Sequence, residues 1–334
     1  MKKKIALTGI KPTGIPHLGN YLGAIKPAIE LTKNYDALYF IADYHAVNSI
    51  RDAKILREMI YEVAATWLAC GLDPEKTVLY QQSAIPETFE LSTFLMAFTP
   101  KGLMNRAHAY KAMVQKNTLN KKDVDDGVNI GLFTYPILMA ADILQFDSDV
   151  VPVGGDQAQH LEMAIDIAQS INHNYGTELL KIPQPLIRKN TGIVTGLDGR
   201  KMSKSYDNTI PLFLPPKKLR KLIMKIVTNS QTIDEPKNPD ECNVFALYKL
   251  FADENQISEM RQKYEAGGMG WGHAKQELFE LINAHLSPYR DKYNELMQNK
   301  NYIDKILEDG SVRAREIVVQ KMKFIRQNIG LFSK

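Results

Sequence analysis

Ile5-Ala6-Leu7-Thr8-Gly9 is an apolar run too short for a helix, and Lys11-Pro12-Thr13-Gly14-Ile15-Pro16 behind it cannot continue any regular element. From Leu18 the apolar residues take up helical spacing. Strand, loop, helix is the opening unit of a parallel sheet, and the pattern repeats. Ala37 to Ala42 reads as a second buried strand ending at Asp43, Ala53 to Ala69 as an amphipathic helix stopped by Gly71, and Thr77-Val78-Leu79-Tyr80 as a third strand. Alternation of this kind predicts an α/β fold, a Rossmann-like doubly wound parallel sheet whose ligands bind beyond the carboxyl ends of its strands.

From Phe89 to about Asn117 the spacing predicts two helices broken at Thr99-Pro100-Lys101-Gly102, followed by a charged linker, Asn120 to Gly127. This reads as a helical insertion covering about residues 89–145. A long helix, Ile130 to Leu144, then leads into the buried strand and glycine turn of Asp149-Val150-Val151-Pro152-Val153-Gly154-Gly155, with a helix from Asp156 to Ile171. Pro211 to Pro216 marks a hinge, and the rest is helical, with breaks expected at Pro236 to Pro239, Gly267 to Gly272 and Gly310. The expected division is a nucleotide-binding domain over 1–214 and an α-helical domain over 215–334, the last helix packing back on the first domain.

Two polar motifs stand at the ends of this sheet-forming region. Thr13-Gly14-Ile15-Pro16-His17-Leu18-Gly19-Asn20 places His17 and Asn20 on either side of a glycine where a helix begins. Backbone amides, the helix dipole and two polar side chains there converge on one anion, and Gly19 lets a phosphate or an adenine approach the backbone. Far downstream, Lys201-Met202-Ser203-Lys204-Ser205 carries two lysines three apart beside Gly199. Compact point charges on flexible stems suit a mobile loop that closes on a polyphosphate.

Composition narrows the class. Apolar residues make up 44% and charged residues 24% of 334, ordinary for a globular protein, and no run of eighteen apolar residues could span a bilayer. Met1-Lys2-Lys3-Lys4 resembles the start of a secretory leader, but Ile5 to Gly9 is too short for a leader's apolar core, so a cytoplasmic location is expected. Cys70 and Cys242, the two cysteines, offer no metal-ligand spacing. A net charge of +4 permits an anionic partner without demanding one.

Taken together, these motifs resemble those of the class I aminoacyl-tRNA synthetases, and within them the tryptophanyl-tRNA synthetases. The resemblance covers nearly the whole chain: Gly19-Asn20-Tyr21-Leu22-Gly23-Ala24, Thr134-Tyr135-Pro136 through Met139-Ala140-Ala141-Asp142-Ile143-Leu144, Val151-Pro152-Val153-Gly154 through Asp156-Gln157, His160, and the lysine loop. It implies a two-step reaction: amino acid and ATP, with Mg²⁺, give an aminoacyl-adenylate and pyrophosphate, and the aminoacyl group then passes to tRNA. It also implies a homodimer joined through the insertion and the adjacent sheet edge, and no structural metal.

By the same resemblance His17, Asn20, Lys201, Lys204 and Ser205 are the expected catalytic residues. Lys11, Thr13, Gly19, Asn20, Gly154, Asp156, Lys201, Met202, Ser203 and Lys204 are expected at ATP, with Lys111 contributing to phosphate binding. Leu7, Thr8, Gly9, His45, Tyr135, Met139, Asp142, Val153 and Gln157 are expected at the amino acid, Tyr135 and Gln157 holding its ammonium and carboxylate. Tyrosyl enzymes typically place a glutamine three residues before the aspartate that reads the substrate ring, where this chain has Met139. A thioether suits the face of an indole, and Asp142 can accept the indole N–H. Tyrosine is the same-class alternative, and a synthetase-like paralogue that binds or activates tryptophan as a regulator is the other.

Two positions depart from the family pattern. Lys11 stands where many bacterial tryptophanyl enzymes carry glutamine, adding a positive charge near the amino-acid and α-phosphate site, and Gly155 stands where they carry glutamate, removing a negative one. Lys217, Lys218, Arg220, Lys221 and Lys225, and on the last helix Arg313, Arg315, Lys321, Lys323 and Arg326, are candidate tRNA-backbone contacts. Trp271, between two glycines, either stacks on a base or closes a turn between helices.

Overall fold

A computed structural model describes residues 3–12, 14, 16–155, 157–187 and 194–333. Its five strands are β1 (Lys4–Ile10), β2 (Tyr35–Ile41), β3 (Val78–Gln81), β4 (Val150–Val153) and β5 (Gln184–Ile187). They form one sheet in the order β3-β2-β1-β4-β5, every pair parallel. Strand order reverses between β1 and β4, which meet at Ala6 and Val150, so a crevice opens beyond their carboxyl ends.

The sequence dictates burial on both faces. In β2, Ala37, Tyr39 and Ile41 enter one apolar cluster while Leu38 and Phe40 enter the other, the two-residue period of a strand covered on both sides. The first face is covered by α1 (Leu18–Asn20), a π-helical turn (Tyr21–Ile25), α2 (Lys26–Leu31) and, beyond the short α3 (Asp43–Val47), by α4 (Ala53–Ala69). Asp52 caps α4, accepting the N–H groups of Lys54 and Ile55. The second face is covered by α5 (Glu87–Met96), α8 (Ile130–Leu144) and α9 (Ala158–Tyr175).

The stretch from Phe89 to Asn117 contains three helices rather than two. After α5 come α6 (Lys101–Met104) and α7 (His108–Leu119), separated at Ala107, whose backbone is extended and whose side chain is buried. Gln159 of α9 holds that break from both sides, accepting the His108 N–H at 3.0 Å and donating to the Arg106 carbonyl at 3.1 Å.

The remaining helices are α10 (Pro216–Ile223), α11 (Asn243–Tyr248), α12 (Glu254–Ala266), α13 (Trp271–Gln298) and α14 (Lys300–Ile329). Phe245, Leu278 and Ile282 continue the apolar cluster of the first sheet face without a gap. Trp271 closes the turn between α12 and α13, edge-on to Tyr264 with its ring centroid 5.8 Å away. Cys70 and Cys242 are buried and unpaired with one another, and burial pushes the Cys70 thiol up to about 12.

Gly310 does not break the last helix: α14 runs through it. A β-carbon there would lie 1.8 Å from the Leu79 carbonyl oxygen, so the glycine lets α14 lie directly on β3. Because β3 is an edge strand, the helix covers backbone that would otherwise be open to pairing. Arg313 donates to the Pro74 carbonyl at 2.9 Å, Arg315 pairs with Glu87 at 2.8 Å, Arg326 pairs with Glu90, and Lys321 with Asp147. Four of the five basic residues read as tRNA contacts therefore fasten this helix to the sheet domain.

Gly310→Ala should destabilise the fold by about 1–3 kcal/mol or more, the cost of overpacking. Helix propensity alone would make alanine stabilising by about 1 kcal/mol. The sign of the change in urea unfolding separates the two effects.

Candidate active site

The loop that follows β1 is tied to the segment that follows the lysine loop. Leu18 donates to the Ile210 carbonyl at 2.9 Å, Leu212 donates to the Pro16 carbonyl at 3.0 Å, and His17 pairs with Pro211 in an antiparallel bridge. Two motifs far apart in sequence thus share one backbone seam. His17 caps α1 with extended backbone, and Asn20 returns its Oδ1 to the His17 N–H at 3.0 Å. The space over Gly19 is taken by the His17 ring, whose Cε1 would sit 2.9 Å from a β-carbon, with Met202 next to it at 3.6 Å.

Lys204 reaches across to the same loop. Its Nζ lies 3.1 Å from the β-carbon position of Gly14, which has a φ of 97° and so requires glycine. Burial lowers the Lys204 pKa and the Glu62 charge on α4 opposes that shift. Burial, then the Lys204 charge, depresses the His17 pKa to about 4. His17 is therefore neutral at physiological pH, and its Nδ1 is buried without a partner among the described residues. Burial also lowers the pKa of Lys11 at the end of β1.

This depression has a sign. The neutral form of His17 is favoured on folding, so its contribution is complete above about 6.5 and is lost as pH falls towards 4. Thermal unfolding of His17→Gln should show a smaller loss of midpoint between pH 7 and 4.5 than the parent shows. An equal loss in both would mean that other groups carry it.

The lysine loop is a hairpin closed by Asn208. Met202 donates to the Val194 carbonyl at 2.8 Å and Gly196 to the Arg200 carbonyl at 2.7 Å. Buried Asn208 accepts the Ser203 N–H at 2.8 Å and donates to Asp198 at 2.7 Å and to the Lys201 carbonyl at 3.1 Å. Gly196 makes room for it, since a β-carbon there would lie 2.3 Å from the Asn208 amide. Ser203 Oγ accepts the Ser205 N–H at 3.3 Å, starting the turn Lys204–Tyr206, and Met202 is buried while Lys201 and Ser205 are exposed. Asn243 donates to the Gly196 carbonyl at 2.8 Å and Val227 to the Leu197 carbonyl at 2.8 Å, tying the loop to the helical region.

On the other side of the switch point, α8 carries Asp142, Met139 and Tyr135. Asp142 is 1% exposed, accepting from His45 Nε2 at 3.1 Å and from Gln82 Nε2 at 2.9 Å on each oxygen. Burial raises its pKa, and the bonds from His45 and Gln82 act against that rise. Tyr135 hydrogen-bonds His160 Nε2 at 2.5 Å, and His160 Nδ1 meets Gln157 Oε1 at 2.8 Å. The His45 ring stands edge-on to Tyr135 at 6.2 Å, which joins the two groups into one polar wall.

Burial varies among the other expected residues. Gly9 is glycine because Phe40 lies where its β-carbon would be, 2.5 Å away. Leu7 is buried in the second-face core. Thr8, Met139 and Val153 are half-buried, Gly154 is exposed, and Lys111 is exposed on α7. A β-carbon on Gly155 would meet open space, so packing does not demand glycine there. Thr13 and Asp156 lie outside the described residues. Gln82, Asp43 and Asn208 escaped the sequence reading; the buried strand end and the left-handed Asp207 before Asn208 (φ 50°) are the signals that could have found them.

The parallel sheet, its switch-point crevice and the paired histidine and lysine loops define a class I tRNA synthetase. The chain belongs to the family described as tRNA synthetases class I (W and Y), whose profile matches residues 1–287. Its relatives point to one of the two amino acids. It is 49% identical over 334 residues to the tryptophan-tRNA ligase of Neisseria meningitidis, with 99% of each chain covered. It is 47% identical over 328 residues to that of Fusobacterium nucleatum, with 98% of each covered. The crystal structure of the tryptophanyl-tRNA synthetase of Campylobacter jejuni in complex with ADP and tryptophan superposes with a TM-score of 0.90 at 43% identity, covering 98% of this chain and all of that one.

Proposed function

We propose that the chain is a tryptophan-tRNA ligase, which activates L-tryptophan with ATP and transfers it to tRNA(Trp). In the first step a tryptophan carboxylate oxygen attacks the α-phosphorus, the bond to the bridging oxygen breaks, and pyrophosphate leaves. In the second, a ribose hydroxyl at the 3′ end of the tRNA attacks the carbonyl and AMP leaves. The observation that carries this reading is the seam between residues 16–18 and 210–212, which brings His17 and Lys204 together beside the crevice between β1 and β4.

Neutral His17 and the Asn20 side-chain amide supply donors to the phosphates without a fixed charge. Lys11, Lys201 and Lys204 supply the charge, the Glu62 charge opposing the lowering that burial imposes on Lys204. Mg²⁺ would come with ATP and offset phosphate charge; the cations and amides of the site would complement it around the same phosphates. In this reading Tyr135 and Gln157 address the tryptophan ammonium and carboxylate, Met139 the indole face, and Asp142 the indole N–H. Pyrophosphate exchange run with each of the twenty amino acids is the test. Exchange dependent on tryptophan supports the reading, exchange dependent on tyrosine overturns the substrate, and exchange without charging of bulk tRNA favours the paralogue.

For the tRNA, α10 presents exposed Lys217, Lys218 and Lys221 around buried Leu219 and Ile223. We expect 215–334 to act as the anticodon-recognition domain and the chain to work in the cytoplasm, where its tRNA is. Neutralising all three lysines should leave exchange intact while weakening tRNA binding and flattening its salt dependence. An unchanged affinity and salt slope would make this a solvated face. A homodimer is expected through the insertion, which exposes Leu119, Val124 and Ile130, and light scattering reads it directly.

A further inference from the structure

A carboxylate as deeply buried as Asp142 has no bulk water to orient it, so its protein neighbours decide which lone pair faces the pocket. Gln82, wholly buried, begins the one-turn helix Gln82–Ala84 after β3 and donates to both Asp142 oxygens. Its Oε1 accepts the Tyr44 N–H at 3.1 Å. Turning the amide over would place a carbonyl against the carboxylate and an NH₂ against an N–H, so only one orientation is satisfied. Asp43 fixes the backbone around it, accepting Ser83 N–H at 3.0 Å, Tyr44 N–H at 3.1 Å and Gln81 Nε2 at 2.6 Å. Among the described residues Asp142 Oδ2 serves His45 and Gln82, whereas Oδ1 serves Gln82 alone. The remaining acceptor capacity is on Oδ1.

We propose that Gln82 is a specificity-determining positioning residue: it holds Asp142 so that Oδ1 presents an acceptor to an indole N–H, and it thereby sets the preference for tryptophan over ring systems lacking that donor. This rests on Asp142 being the indole acceptor. A site built around a hydrogen bond rejects the analogue that cannot make it, and the rejection is only as strong as the acceptor is well aimed.

The probe is β-(3-benzothienyl)alanine, in which sulfur replaces the indole N–H with little change of shape. The measured quantity is the ratio of kcat/KM for tryptophan to that for the analogue in pyrophosphate exchange. Gln82→Met keeps the side-chain length but removes the donor and acceptor. It should lower the ratio about tenfold or more, on the scale of losing a hydrogen bond to a charged group, and leave the KM for ATP in place. Gln82→Asn keeps an amide but withdraws it by one methylene, so it should also lower the ratio, and it remains informative if the methionine variant folds poorly.

Equal losses for both amino acids, with the ratio intact in both variants, would make Gln82 merely structural and overturn the assignment. Asp142→Ala separates the two readings. If it leaves the ratio at the wild-type value, Asp142 is not the indole acceptor. If it collapses the ratio while both Gln82 variants preserve it, the acceptor reading stands and the role of Gln82 is wrong.

Discussion

Lys204→Ala should lower the rate of adenylate formation at least about a hundredfold, or about 2.7 kcal/mol of transition-state stabilisation, while the KM for ATP changes much less. Negative charge builds on the bridging oxygen and the departing pyrophosphate as the α-phosphorus is attacked, so a donor aimed there acts most strongly at that moment. Lys204 is suited to this because its Nζ already stands over Gly14, partly desolvated, with Glu62 favouring its charged form. Desolvation strengthens what an ammonium does to a nearby phosphate. Lys204 Nζ is the one held over Gly14, so Lys201→Ala should show the smaller effect. Single-turnover kinetics with ATP binding measured separately is the check. A large loss of ATP affinity with an unchanged chemical step would make the loop a static clamp.

Asn208 limits how the loop can move. It bonds Asp198, the Lys201 carbonyl and the Ser203 N–H, so residues 198–208 form one braced unit rather than a string of free serines and glycine. The bonds from Val227 and Asn243 connect that unit to the helical region. The hairpin is thereby braced as a body, with its supports in the helical region.

The sheet was legible because buried parallel strands leave short apolar runs between helical periods, and those runs fell within two residues of β1, β2 and β3. Gly310 was misread because glycine ends helices far more visibly than it lets them touch a strand; only the approach of α14 to the Leu79 carbonyl reveals the second use. The basic residues of α14 look like any solvated cationic face until Glu87, Glu90 and Asp147 are found opposite them. Asp142 stood out as a charge within an apolar run, but its partners come from other elements, and no spacing in sequence connects residue 142 to Gln82. Asn20 was readable as a polar group at a helix start, whereas its bond to the His17 backbone belongs to local geometry.

Asp142→Ala should raise the tryptophan requirement about ten- to a hundredfold, far more than the ATP requirement, because on the proposed assignment it removes the indole acceptor and no phosphate contact. It also leaves the Gln82 amide and His45 facing a void, so part of the loss will be slackening of the pocket wall. Asp142→Asn separates the parts. Its amide oxygen can accept the indole N–H, and His45 in its other tautomer can accept from the NH₂, but Gln82 Nε2 now meets a donor on one side of the group it served on both. The asparagine variant should be milder than alanine and still impaired. In the parent, burial raises the Asp142 pKa, so the charged acceptor is lost as pH falls through a value above the ordinary aspartate range. The KM for tryptophan should climb there and that for ATP should not, while Asp142→Asn, with nothing to titrate at this position, should lose that climb. Equal changes in both Michaelis constants, or the same pH dependence in parent and asparagine variant, would remove Asp142 from the indole.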